Sequence, residues 1–238
     1  MIKFFRRIRQ QLLNEGKTGR YFKYAFGEII LVVLGILIAL QINNWNERRM
    51  SKAMEELLYD QILKELKLEL ADLESRKDMT SLHVDYFTKV SEKKYEEINL
   101  VLLTQYLGIS FDFHNRNNGF NSLIQHSNSN EIFIKDLFNT IRLHYEEQYQ
   151  RVNQFSKWHI AFTNGTVEDY ISKNLSVDIA FKGNEKEILH ALEDDQLMFI
   201  VNYQLASNNA TGSALDILIN NTENLISKIS EQLDKSDD

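Results

Sequence analysis

One apolar segment near the start of the chain constrains the fold more than any other feature. Residues 25–42 read AFGEIILVVLGILIALQI, and the run from Ile29 to Leu40 contains no polar side chain. Taken from Tyr21 to Trp45, the segment has about 25 residues, enough for a helix to cross a hydrocarbon core about 30 Å thick. We therefore predict a membrane-spanning helix at residues 21–46. The alternative is a buried helix of a soluble domain.

Charge is distributed unevenly on the two sides of this segment. Residues 1–23 carry seven basic side chains and one acidic side chain, a net +6, so the total of −7 leaves −13 on the other 215 residues. Basic flanks of a span stay in the cytoplasm. We therefore predict a membrane protein with a cytoplasmic N-terminus and a domain at residues 47–238 on the far side of the membrane. In a bacterium this would be an inner-membrane protein with a periplasmic domain. The acidic body argues against a nucleic-acid partner, which would need basic patches.

The apolar segment is predicted to stay in the mature protein as a signal anchor. After its apolar core the chain reads Ala39-Leu40-Gln41-Ile42-Asn43. Signal-peptide cleavage needs small residues at two alternate positions, and Gln41 and Asn43 do not suit it. The protein should therefore cross the membrane once and remain anchored in the lipid bilayer.

Residues 1–20 are predicted to form a basic amphipathic head on the cytoplasmic side. Phe5 and Ile8 share one helical face of this head. Three arginines, Arg6, Arg7 and Arg9, lie largely on the opposite face, where they would contact anionic lipid headgroups. The alternative is an ordinary positive flank without lipid selectivity.

Three residues of the predicted span are candidates for helix packing. Glu28 is an acidic residue near the start of an apolar span, where an ionised carboxylate is costly unless it is paired or close to headgroups. Gly35 and Ala39 form a pair of small residues four positions apart, a spacing that permits close approach of two helices. The alternatives are a Glu28 side chain that reaches the interface and a small-residue pair that arose by chance.

The first 47 residues, MIKFFRRIRQQLLNEGKTGRYFKYAFGEIILVVLGILIALQINNWNE, resemble the N-terminal region of the DUF6090 family of Bacteroidota membrane proteins. The similarity lies in the MIKFFRRIRQ start, the span and the charged helix after it. Further on, Phe120–Ile124 and the stretch from Asp136 to Glu146 are similar to a helical segment of that family, whereas residues 124–128 depart from its pattern. The resemblance implies a single-pass membrane protein of a Gram-negative bacterium. It implies no activity and gives Glu28 no role.

The body beyond the span is predicted to be all-α. Proline is absent, where about 12 would be usual at this length, and glycine occurs only nine times. Leucines and isoleucines at three- and four-residue spacing indicate amphipathic helices. The predicted helices are residues 20–77, 81–107, 119–126, 130–160, 166–174, 185–207 and 210–233, with a turn at Asn164-Gly165 and a break between 207 and 210. We expect an antiparallel helical bundle, in which a two-stranded β patch between Ile109–Phe113 and Leu175–Phe181 is an open alternative.

Little in the sequence indicates a reaction. Cysteine is absent, which excludes thiol catalysis, zinc–thiolate sites and iron–sulfur clusters. Glu187 and His190 have the spacing of a di-iron ligand pair, but a second such pair is missing, so we predict no metal and no cofactor. An irregular loop holds Asp112, His114 and Arg116, a candidate ligand site whose alternative is a solvated loop. No nucleophile elbow or phosphate-binding motif occurs, and we predict that the protein is not an enzyme.

Two classes of function fit these observations. The first is a membrane-anchored scaffold or accessory subunit that binds another envelope protein, or a second copy of itself, through its span and its helical domain. The second is a sensory ectodomain that binds a small ligand and signals through a separate partner, since a head of about 20 residues holds no output domain. We favour the scaffold for that reason.

Overall fold

The chain folds into helices alone over the residues that the structure describes. The computed structural model describes residues 18–176, 179 and 183–235. The helices are α1 Thr18–Ser91, α2 Leu103–Gly108, α3 Asn118–Ser127, α4 Lys135–Leu143, α5 Tyr149–Phe162, α6 Glu168–Asn174, α7 Glu185–Ala191 and α8 Asp195–Asp234. No strand occurs within the described ranges, and the all-α prediction is confirmed for them.

Helix α1 contains the apolar segment and is long and apolar enough to cross a membrane. None of its most apolar 18-residue window is buried inside the described chain. Its large side chains between Ile29 and Leu40 are exposed. This exposure favours a membrane span over a helix buried in a soluble core. The predicted head, with Arg6, Arg7 and Arg9, lies outside the described residues.

The chain divides into two compact units, Met1–Met54 and Glu55–Asp238. Within the first unit the described residues form the N-terminal part of α1. The second unit contains the rest of α1 and all the shorter helices. The predicted boundary between span and domain at residue 46 stays a prediction.

Helix α1 runs further than its sequence pattern suggested. The predicted end at residue 77 is wrong, because the helix continues to Ser91. Residues assigned to the start of a second helix instead continue the buried face of α1, where His83, Phe87 and Val90 are buried. The chain then turns through Lys93, which adopts a left-handed φ of 59°. Two 3₁₀ turns, Tyr95–Glu97 and Leu100–Leu102, lead into α2.

Two other predicted breaks are absent because the helices pass through them. Asn164-Gly165 lies in a π-helical turn, Thr163–Val167, which joins α5 to α6. A similar turn, His144–Gln148, joins α4 to α5. Helix α8 runs without a break across the asparagines at 208 and 209, whose side-chain amides donate to backbone carbonyls one turn earlier. Local polar residues therefore did not end these helices.

Two hydrophobic clusters hold the second unit together. The first is formed mainly by α1, α4, α5 and α8 and includes Ile62, Leu66, Ile141 and Leu215. The second joins the end of α1 to the 3₁₀ turns and to α2, α7 and the start of α8, with Phe87, Leu103, Ile188 and Ile200 fully or nearly fully buried. Because α1 and α8 supply residues to both clusters, they form a common framework for the shorter elements.

The predicted β patch is not found in the described residues. Ile109–Phe113 has no regular secondary structure, and its backbone is paired with side chains of α5. The Phe111 N–H donates to His159 Nδ1 at 3.0 Å, and the Phe113 N–H donates to Ser156 Oγ at 3.1 Å. The Ser156 hydroxyl in turn donates to the Phe111 carbonyl at 2.9 Å. Most of the proposed partner strand, namely residues 177, 178, 180 and 181, lies outside the described residues.

Candidate functional site

Three glutamates of α1 hold the segment between α2 and α4, which includes α3, in place. The Glu55 carboxylate accepts the backbone N–H groups of Phe133 and Ile134 at 2.8 and 3.0 Å, at the start of α4. Glu65 accepts the N–H of Gly119 in the first turn of α3 at 3.1 and 3.0 Å. Carboxylates at helix N-termini satisfy N–H groups that have no partner within the helix. These contacts fix where α3 and α4 begin.

Glu69 performs a similar task one turn further along α1. Its Oε2 accepts the backbone N–H of Arg116 at 2.8 Å. The side chain is only 2 % exposed, and burial raises its pKa above the ordinary value. The Arg116 N–H and the positive charges of Arg116 and Arg76 oppose that shift. The loop is therefore held by a buried carboxylate whose ionisation is costly.

The structure does not bring the predicted ligand residues Asp112, His114 and Arg116 together around one pocket. The Asp112 carboxylate lies 3.5 Å from His114 Nδ1, and both side chains are exposed. The Arg116 guanidinium pairs with Asp72 of α1 at 2.7 Å. The Asp112 backbone carbonyl accepts a hydrogen bond from Arg76. These contacts attach the loop to α1.

A cavity lies directly under the preceding part of this loop. Its volume is about 170 Å³, and it is partly open to solvent. Ten residues line it, from α1, the loop, α5 and α8: Ser75, Arg76, Met79, Thr80, His83, Ile109, Ser110, Phe111, His159 and Asn208. Polar groups therefore meet an apolar wall in a space of small-molecule size.

His83 is the distinctive residue of this cavity. Its side chain is 5 % exposed, and its Nε2 atom has no hydrogen-bond partner in the described chain. Burial lowers the pKa of His83, as does the nearby His159, while the Asn208 side chain opposes the shift. The imidazole is therefore neutral at neutral pH, and a buried polar atom without a partner costs free energy.

His159 also lines the cavity, and both of its ring nitrogens are hydrogen-bonded. Its Nδ1 accepts the Phe111 N–H, so the proton is on Nε2, which donates to Gln204 Oε1 at 2.5 Å. Gln204 is itself buried, and its amide donates to the Leu107 carbonyl at 3.0 Å. Burial lowers the pKa of His159, and the hydrogen bond to Gln204 opposes that shift. This network joins α2, α5 and α8 around one side of the cavity.

Sequence reasoning missed the cavity residues. His83 and His159 each lie on a helical face that is otherwise buried, as does Gln204. Polar residues at such positions need partners inside the protein or from a ligand. That pattern was the available signal, whereas the predicted site consisted of exposed polar residues of the loop.

The span residues singled out from the sequence lie on an open part of α1. A Cβ placed on Gly35 would meet nothing within 4 Å. Ala39 is exposed, and Glu28 is partly buried. Within the described structure nothing covers the small-residue face at Gly35, so a helix of another protein could pack there.

A second exposed apolar surface lies on the part of α1 that belongs to the second unit. Leu57, Leu68, Met79 and Leu82 are 49–60 % exposed. At 100° per residue they fall within a 60° arc, opposite the face that buries Ile62 and Leu66. We call these four residues the outer stripe. Met79 belongs both to this stripe and to the cavity lining.

Glu187 and His190, whose spacing resembles that of a di-iron ligand pair, have other contacts. Glu187 accepts hydrogen bonds from the Ser176 hydroxyl at 3.0 Å and the Asn184 amide at 3.1 Å. His190 Nδ1 lies 3.1 Å from Glu193 Oε2 on the surface. Among the described residues, no three histidine, aspartate or glutamate side chains are grouped as metal ligands would be.

Comparison of the chain with protein-family models, curated proteins and solved structures gives no match. Membership of the DUF6090 family and an origin in Bacteroidota therefore stay predictions from the resemblance.

Proposed function

We propose that the protein is a single-pass inner-membrane protein whose periplasmic antiparallel helical bundle acts as a scaffold or accessory subunit for another envelope protein. The observation that carries this proposal is the outer stripe. Four large apolar side chains remain exposed on one face of the part of α1 that buries Ile62 and Leu66 on its opposite face. Exposed apolar surface of this kind is typical of protein interfaces.

The anchor supports the same proposal. The most apolar part of α1 is unburied, and the basic residues before it favour a cytoplasmic N-terminus. A domain anchored in this way can meet only partners in or near the same membrane, which raises their local concentration. The partner we propose is an envelope protein that offers a helix to the outer stripe and a membrane span to the face of Glu28, Gly35 and Ala39.

The exposed residues that share a face of α1 with Leu57 and Leu68 favour a helical partner. Leu57, Lys64, Leu68, Ala71 and Ser75 follow each other at intervals of seven, four, three and four residues, and all five are exposed. Intervals of three and four place successive side chains on one seam, as helix–helix packing requires. Lys64 within the seam would favour an acidic residue on the partner.

The proposal is tested by crosslinking in native membranes followed by affinity purification. We expect one recurrent envelope protein with the wild-type chain and its loss with Leu57→Glu, Leu68→Glu or Glu28→Leu. Leu143→Glu provides a control, since Leu143 is 46 % exposed but lies on α4, outside the outer stripe. Recovery of the protein alone, as a monomer or a closed homo-oligomer, would overturn the scaffold function.

The second candidate function is a sensory ectodomain that binds a small ligand and signals through a separate partner. The cavity beneath residues 109–111 favours it, because its volume suits a small molecule and its lining combines polar and apolar side chains. A ligand that binds the native state should raise the melting temperature of the wild-type protein. No thermal shift with any small molecule would remove this candidate.

A further inference from the structure

We infer that Lys64 and Asp78 make the exposed face of α1 select a partner helix of complementary charge and reject a second copy of this chain. The partner helix carries an acidic side chain opposite Lys64 and a basic side chain opposite Asp78. This inference rests on the proposed scaffold function and deepens it, because it states which chemistry the docking face of α1 recognises.

Lys64 and Asp78 belong to a continuous row of exposed side chains on α1. The row begins at Leu57 and continues at intervals of seven, four, three, four, three and four residues. Alternating intervals of three and four keep side chains on the face that a second helix covers. At 100° per residue the row fits within an arc of about 80°. We call this row the outer seam, and its members are Leu57, Lys64, Leu68, Ala71, Ser75, Asp78 and Leu82.

The uncharged members of the outer seam suit a helix but do not choose between helices. Leu57, Leu68 and Leu82 are 59–60 % exposed and would be covered by any apolar helix face. Ala71 and Ser75 are small, so the backbone of a partner helix can approach closely between the leucines. The choice of partner therefore depends on the two charged positions.

A second copy of the chain presents the wrong charges. The apolar segment lies near the N-terminal end of α1, so two copies anchored in one membrane have parallel α1 helices in the same register. Lys64 then faces Lys64 of the second copy, and Asp78 faces Asp78. Like charges that face each other across an interface weaken it and act against that pairing. The leucine contacts of such a dimer are thus opposed at two positions of the outer seam.

Charges elsewhere in the chain do not remove this effect. Lys64 Nζ lies 2.6 Å from Asp60 Oδ2, but the two side chains are 73 % and 46 % exposed. An exposed ion pair of this kind contributes little, so Lys64 can pair with a partner's carboxylate instead. Asp78 forms no ion pair with any residue that the structure describes, because the adjacent Lys77 pairs with Asp216 of α8.

The test pairs the purified full-length protein with a charge-swapped copy of itself, Lys64→Asp/Asp78→Lys, which carries the charge pattern of the proposed partner. The chain has no cysteine, so Lys235→Cys at the end of α8 can carry a donor or an acceptor dye. In phosphatidylcholine vesicles, energy transfer measures association. We expect the wild type to associate with the swapped copy at least about ten-fold more tightly than either protein associates with itself. Because all three pairings share the same span, their difference reports the outer seam.

Two further variants test whether charge at these positions is the cause. Lys64→Leu/Asp78→Leu should self-associate at least as tightly as the mixed pair, because apolar contacts replace the repulsion. Lys157→Leu/Glu223→Leu makes the same change of charge and apolarity at exposed positions of α5 and α8 and should leave self-association unchanged. All the substituted side chains are exposed or half-exposed, so the fold should persist in each variant.

Two results would overturn the inference. One is equal affinity in all three pairings of wild type and swapped copy. The other is tight self-association of the wild type that Leu68→Glu abolishes. Neither measurement involves an envelope partner, so failure of the charge rule is distinct from failure of the scaffold function in the crosslinking experiment.

Discussion

The carboxylate of Glu55 on α1 accepts the backbone N–H of Phe133 at 2.8 Å, across 78 positions of sequence. Glu55 is 1 % exposed and also accepts the Ile134 N–H and the Tyr59 hydroxyl. An acidic side chain on one helix therefore supplies the N-terminal cap of another. Glu65 repeats this relationship on the same face of α1, where it caps α3. Glu69, on that face as well, accepts the N–H of Arg116 in the preceding loop.

Removing the cap at Glu55 should destabilise the second unit. In Glu55→Gln the amide NH₂ replaces one of the two oxygens and faces an N–H donor. We expect a loss of about 2 kcal/mol in the free energy of unfolding, the usual range for a hydrogen bond to a charged group. Urea unfolding followed by circular dichroism measures the loss. Glu74→Gln, on the exposed surface of α1, should change the free energy of unfolding by less than about 0.5 kcal/mol. Equal effects of the two variants would contradict the capping role of Glu55.

Glu69 should give the protein a specific pH dependence. Its folded-state pKa is raised above 4.5, chiefly by burial, so this group's contribution to stability falls as pH rises from about 4.5 through the folded-state pKa. The substitution Glu69→Gln would keep an oxygen for the Arg116 N–H without the charge. The stability of this variant relative to the wild type should therefore increase between pH 4.5 and pH 7. A difference that stays constant over that interval, in denaturant titrations at matched ionic strength, would show that Glu69 ionises normally.

Tyr149→Phe should stabilise the protein. The Tyr149 hydroxyl is buried without a hydrogen-bond partner in the described chain, within an aromatic stack that includes Tyr145 and Phe113. Removing an unpaired polar atom and keeping the ring should gain about 1 kcal/mol. Tyr59→Phe is the matched comparison, because the Tyr59 hydroxyl donates to Glu55 at 2.7 Å and its removal should cost about 1 kcal/mol. Thermal melts measure the change in stability of both variants relative to the wild type. A loss of stability in Tyr149→Phe would indicate a hydrogen-bond partner for the Tyr149 hydroxyl.

Gly119 should tolerate no side chain. A Cβ there would lie 2.9 Å from Ile62 Cγ1 and 3.2 Å from the Ile62 nitrogen. Gly119→Ala must therefore separate α3 from α1 and weaken the contact with Glu65, at a cost of about 1–3 kcal/mol. Gly212→Ala is the control, since its Cβ would meet only Thr80 and Lys77 atoms at 3.6 and 3.8 Å. Alanine at 212, in the interior of α8, should instead stabilise the protein by about 0.5–1 kcal/mol. If the melting temperatures of Gly119→Ala and Gly212→Ala move in the same direction, the predicted clash at Gly119 is wrong.

The helix ends show that local turn signals in the sequence were not sufficient to end a helix. Asn164-Gly165 looked like a turn, and the sequence near 208 looked like a break, yet the helical path continues through both. At 208 and 209 the asparagine amides bond back to the helix carbonyls, while Gly212 fits against Thr80 of α1. Tertiary packing overrode weak local preferences. The predicted strand at Ile109–Phe113 failed for a related reason: its alternating pattern is real, but side chains of α5 take the place of a neighbouring strand.

The sequence by itself determined the helical class and the segment long and apolar enough to cross a membrane, because both depend on local composition. The absence of proline and the scarcity of glycine favour helices, and an unbroken apolar run favours a membrane span. Neither effect requires contact with residues far away in the sequence. The tertiary structure alone decided the helix caps at Glu55 and Glu65, the loop contact of Glu69 and the cavity at His83. A buried carboxylate or imidazole takes its partners, and its pKa, from residues far away in sequence. Where those partners lie depends on how the helices pack, which residue spacing along one helix does not specify.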